Sequence, residues 1–85
     1  MLTNELKKGA RIQLANGWFA TIYDNAKGYT RMAEVEGFFT EIGSVYAHDI
    51  SICILNPGTD AEEIVPIEHT PAQLKLKARL KVMGW

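Results

Sequence analysis

Apolar and polar residues alternate in short runs along most of the chain, and turn-forming residues separate the runs. Over residues 10–14, Ile12 and Leu14 alternate with Arg11 and Gln13. That is the period of two of a half-buried strand. Asn16-Gly17 follows, a pair that accepts the positive φ of a tight hairpin, so a second strand is predicted from Trp18. Trp18-Phe19-Ala20-Thr21-Ile22-Tyr23 is rich in aromatic and β-branched residues, and turn chemistry at 24–28 ends it. Alternation resumes over 30–36, where Ala33 breaks strict register and predicts a bulge. Gly37 allows a bend into a strand at 38–42.

The pattern changes at Gly43. Residues 44–50 show neither clean alternation nor a long helical period, and are read as a one-turn connector. A compact apolar strand is predicted at 51–55, stopped by Asn56-Pro57-Gly58, with an acidic loop at 59–63. A last short strand at 64–67 belongs on a sheet edge, because Pro66 cannot donate to a ladder. Thr70-Pro71-Ala72-Gln73 then announces a helix: an N-cap threonine, proline at the first helical position, and glutamine at the capping-box position. The helix is expected over about 71–83, with Gly84 ending it. At 100° per residue, Ala72, Leu76, Leu80 and Met83 form a stripe that docks on the core, while Leu74, Ala78 and Val82 form a weaker second stripe that either meets a partner chain or, in the ordinary case for alanine and one exposed leucine, is plain surface.

Five to six short antiparallel strands joined by tight turns and followed by one helix describe a mainly β fold, a small SH3-like barrel. The barrel occupies about 8–67 and the helical region about 70–84, in a single domain. Its 85 residues, 47% hydrophobic and 22% charged, are enough for one core, and that core is small enough to gain from self-association. The first eight residues have no apolar core of signal-peptide length, and no run approaches the roughly 20 apolar residues of a membrane span, so a cytoplasmic protein is expected.

Charge is unevenly placed. Lys75, Lys77, Arg79 and Lys81 give the helix +4, leaving −5 for the rest if the total is to be −1. Either the basic helix faces phosphates or an acidic partner, or its cations offset the helix dipole and keep an exposed face wet; the second is the ordinary arrangement. Lys7, Lys8, Arg11, Lys27 and Arg31 are a second basic group. With Trp18, Phe19, Tyr23, Tyr29 and Phe38 they suggest a face that stacks rings on bases and sets cations on phosphates. Aromatic residues in short strands normally fill the core, and that is expected of these, except Tyr29, which stands beside Gly28 at a turn. Candidate ligand- or partner-binding residues are therefore Tyr29, Arg31, Tyr46, His48, Lys75, Lys77, Arg79 and Lys81.

Catalytic chemistry has little to rest on. His48-Asp49, even with Glu68 and His69, lacks the ligand count of a metal site, and no serine or cysteine is placed as its nucleophile. Asp49 is expected to cap the turn into Ile50. No metal, cofactor or dinucleotide fingerprint is present, and the lone Cys53 in Ile52-Cys53-Ile54-Leu55 reads as a buried hydrophobe.

Lys8-Gly9 entering a strand, followed by Asn16-Gly17 and a second strand, is similar to the opening of KOW-type and other SH3-like barrels. Asn16-Gly17-Trp18-Phe19-Ala20-Thr21-Ile22, Gly43-Ser44-Val45-Tyr46-Ala47-His48-Asp49-Ile50 and His69-Thr70-Pro71-Ala72-Gln73-Leu74 resemble segments of small uncharacterised tailed-bacteriophage proteins. The second resemblance implies a context in which small accessory proteins neutralise a host factor, regulate transcription or sequester a nucleotide signal. With the small size, the aromatic turns and the lack of catalytic groups, the expectation is a non-enzymatic, homo-oligomeric binding protein that neutralises a host factor or sequesters a small nucleotide, as in anti-defence. A nucleic-acid-binding KOW-like module is the first alternative, and a small hydrolase centred on His48 and Asp49 the second.

Overall fold

The computed structural model describes residues 1–24 and 30–83. Six antiparallel strands form one sheet: β1 (Arg11–Leu14), β2 (Phe19–Asp24), β3 (Thr30–Glu36), β4 (Thr40–Tyr46), β5 (Ile50–Leu55) and β6 (Glu63–Pro66), followed by helix α1 (Pro71–Val82). The strand order is β4-β3-β2-β1-β5-β6. This is the expected strand-rich fold with one C-terminal helix, except that the ring stays open, β4 and β6 being its two edges. The turn predicted at 24–28 and the glycine stop at 84 lie outside the described residues, apart from Asp24, which ends β2.

Register explains which side chains reach the core. Ile12 pairs with Ala20 and Cys53, Ala20 with Val35, and Ile22 with Ala33, so these residues share one face. Ile12, Ala20, Ile22, Ala33, Ile50 and Cys53 are all buried there, with Leu6, Leu14 and Ile67 beside them. Burial raises the pKa of the Cys53 thiol, so it stays protonated and packs as a hydrophobe. The aromatics expected inside are not there. Trp18, Phe19 and Tyr23 are exposed, and Phe38 is 91% exposed. In β2 the alternation sends Ala20 and Ile22 inward, so Phe19 must point to the other face, where the Arg11 guanidinium sits 5.0 Å from its ring centre. Trp18 meets Phe38 edge-to-face at 5.9 Å, and any Cβ on Gly37 would run into the Trp18 ring.

Two irregularities shape the sheet. The bulge expected at Ala33 lies on the partner strand: β2 takes one extra residue between Ile22 and Asp24, opposite Ala33 and Met32. The second falls where Leu14 pairs with Ile50 and Gln13 with Ile52. The larger correction concerns 38–50. The strand begins at Thr40 rather than 38 and runs through the supposed connector to Tyr46, leaving a single 3₁₀ turn at Ala47–Asp49 before β5. Gly43 and Ser44 disguise it, because they contribute no apolar alternation. Seven consecutive pairs with β3, from Glu36–Thr40 to Thr30–Tyr46, hold it as a strand nonetheless.

The helix starts as predicted. Thr70 Oγ1 accepts from the Gln73 amide at 3.2 Å, and Gln73 Oε1 accepts from the Thr70 amide at 3.0 Å. Its docking face is rotated from the one expected. Gln73 is buried and Leu76 and Leu80 are half-buried, whereas Ala72 and Met83 are exposed. The helix packs on the small Ala47–Asp49 turn rather than across the sheet, and a narrow support touches a narrow stripe. The second stripe, Leu74, Ala78 and Val82, is exposed.

Candidate functional site

The junction between the end of β4 and α1 gathers more chemistry than any other part of the described chain. Tyr46 ends β4 with extended backbone, and the following turn drops Ala47 and His48 into the interior. Tyr46 and His48 thereby end with rings stacked, centroids 4.9 Å apart and planes 10° from parallel. The Asp49 carbonyl accepts from the Ala15 amide at 2.8 Å and ties the turn to the β1–β2 hairpin. Its carboxylate caps nothing, contrary to expectation, and stands half-exposed at the rim.

α1 supplies the other wall, and its position is set just before it begins. The His69 Nε2–H donates to the Ile50 carbonyl at 2.9 Å, which identifies the protonated nitrogen because a carbonyl can only accept. Thr70 then caps the helix, and its second and third turns bring Lys77, Leu80 and Lys81 opposite Tyr46, His48 and Asp49 across a cavity of ≈ 350 Å³. A second cavity of ≈ 430 Å³ adjoins it, sharing Tyr46 and Asp49 and lined also by Leu14, Asn16, Ser44 and Val45. Each lies near the lower end of the roughly 300–1,000 Å³ range of small-molecule sites.

The electrostatics of this cleft favour an anion. Lys77 and Lys81 face one carboxylate, Asp49. His48 adds no charge at neutral pH: burial holds its pKa below the usual histidine value, Asp49 opposes that lowering, and the positive field of Lys77 adds to it. Its Nε2 lies 3.7 Å from Asp49 Oδ1, too far for a hydrogen bond. A neutral, stacked imidazole without that bond can exchange one hydrogen bond with a ligand but is not aligned by Asp49 as a general base requires. Among the described residues, no three His, Cys, Asp or Glu side chains come together to hold a metal ion.

The sequence candidates separate into groups. Tyr46, His48, Lys77 and Lys81 converge on the cleft. Lys75 and Arg79 lie on the opposite flank of α1, beside Ala78, Val82 and Met83, so the four helix cations do not form one track. Arg31 is 2% exposed; its guanidinium donates to the Thr30 carbonyl at 2.9 Å and to Asn4 Oδ1 at 2.6 Å, which makes it a brace between β3 and the N-terminal segment rather than a surface cation. Tyr29 lies outside the described residues. Asn16, Ser44 and Leu80 were not among the candidates. Of these, Leu80 carried a signal as part of the docking stripe and Asn16 as a turn former, neither of them as a binding residue.

Comparison with protein-family models, with curated proteins and with solved structures finds no match to this chain. Among the described residues no helix is long and apolar enough to cross a membrane.

Proposed function

We propose that this protein is a non-enzymatic binding module that sequesters a small nucleotide in the cleft between Tyr46 and α1. One observation carries the reading: an aromatic platform, Tyr46 on His48, and two cations, Lys77 and Lys81, border one cavity. A base stacks on the outer face of Tyr46, the phosphate is held by the two lysines, and Asn16 and Ser44 in the adjoining cavity offer hydrogen-bond partners to the sugar or base edge. The split of the helix cations between opposite flanks argues against a continuous phosphate track and so disfavours the nucleic-acid reading. The resemblance to tailed-phage proteins suggests the setting, an accessory protein acting in the host cytoplasm against a nucleotide signal.

The test is titration calorimetry with mononucleotides, cyclic nucleotides and nucleosides. Phosphate-bearing members bind saturably and are recovered unhydrolysed. The double variant Lys77→Glu, Lys81→Glu loses at least about 100-fold in affinity, because two charged hydrogen bonds of about 1.5–3 kcal/mol each are removed. Lys75→Glu with Arg79→Glu leaves affinity within a few-fold. Absence of binding across the panel at millimolar concentration overturns the reading.

A further inference from the structure

The two sheet edges are treated differently. β6 is four residues long, carries Pro66 and Glu63, and is covered by the start of the chain: the Met1 amino group donates to the Pro66 carbonyl at 3.3 Å and Leu2 bridges to Glu68. These are ordinary defences against edge pairing. β4 is seven residues long, has no proline or lysine, and among the described residues pairs with β3 alone. Directly before it, Phe38 and Phe39 stand 91% and 79% exposed at the β3–β4 tip.

We infer that β4 pairs antiparallel with β4 of a second copy about a two-fold axis at Gly43, extending the sheet across the dimer. Only that register uses all seven residues. It sets Thr40 against Tyr46, Glu41 against Val45, and Ile42 against Ser44, so the one charge of the strand never meets its symmetry mate and paired residues share a face. Gly43 meets itself. A Cβ built there finds no atom within 4 Å, so the chain's own fold does not require glycine, and the position leaves room at the axis. The same operation carries Phe39 and Phe38 of the second copy just beyond Tyr46, covering the most exposed rings among the described residues. Four phenylalanines at about 150–250 Å² each supply roughly half of the ~1,600 Å² of a standard interface. The second copy then borders the Tyr46 cleft, although pairing through β4 does not depend on what the cleft binds.

Sedimentation velocity at tens of micromolar protein tests this. The wild type sediments as a dimer, and Gly43→Lys and Gly43→Glu, each checked for native circular dichroism, are monomers with a dimer dissociation constant raised at least 100-fold. Mixing the two variants restores a heterodimer, because opposite charges then meet at the axis. A monomeric wild type, a dimeric single variant, or a mixture that stays monomeric overturns the inference. A second route needs no charged variant: Gly43→Cys in a Cys53→Ala background forms a covalent dimer on mild oxidation, since opposed residues in an antiparallel pair have Cα atoms about 4.5–5.5 Å apart, within disulfide reach. Failure of that cross-link in folded protein also overturns it.

Discussion

Tyr46 covers His48, ring on ring at 4.9 Å, and so seals a histidine into a turn that would otherwise leave it open to solvent. The imidazole is 5% exposed, and this burial is the largest cause of its lowered pKa.

Stability therefore depends on pH in a defined direction. The folded state binds the His48 proton less readily than the unfolded chain, whose histidine titrates near 6.5, so protonation favours unfolding. The full contribution is present above about pH 6.5 and is lost as pH falls from there toward the folded-state pKa. Denaturant midpoints measured between about pH 7.5 and 5 should fall on acidification in the wild type and fall much less in His48→Gln. Tyr46→Ala should move the His48 NMR titration back toward the ordinary value.

Arg31 is expected to be structural. Arg31→Ala leaves the Asn4 side chain and the Thr30 carbonyl without this donor, at a cost of about 1–3 kcal/mol. Arg31→Lys should not rescue it, because one ammonium cannot span the two directions of the planar guanidinium. Lys81→Ala, by contrast, should stay within about 0.5 kcal/mol while weakening ligand binding. Thermal melts of the three variants separate bracing from binding.

The helix cap is expected to be worth about 1 kcal/mol. Thr70→Ala removes the acceptor for the Gln73 amide and should lower Tm by about 4–8 °C for a domain of this size. Thr70→Ser should retain most of the cap. Equal melting temperatures for Thr70→Ala and wild type would show that the fold does not depend on it.

The local signals were legible where a few adjacent residues decide the outcome. Thr70, Pro71 and Gln73 announced α1, Asn16-Gly17 the first hairpin, and Pro66 the edge position of β6. β4 was not legible beyond Ile42, because Gly43 and Ser44 carry no alternation and the strand exists through its pairing with β3. The exposure of Phe19 was missed for a related reason: composition marks a strand, but only register says which alternate residue faces the core.

The cleft was half visible. Tyr46, His48, Lys77 and Lys81 were each candidates, yet nothing in sequence joins residues some thirty positions apart or separates Lys77 and Lys81 from Lys75 and Arg79. By itself the sequence determined the strand-rich class, the Asn16-Gly17 hairpin turn and the capped basic helix, because propensity, turn chemistry and capping act over a few bonds. Tertiary structure alone decided that Arg31 is a buried brace, that β4 is an open edge, and that two of four helix cations face an aromatic platform. Those outcomes depend on which surfaces meet when α1 settles on the Ala47–Asp49 turn, and contacts between distant segments leave no local pattern to read.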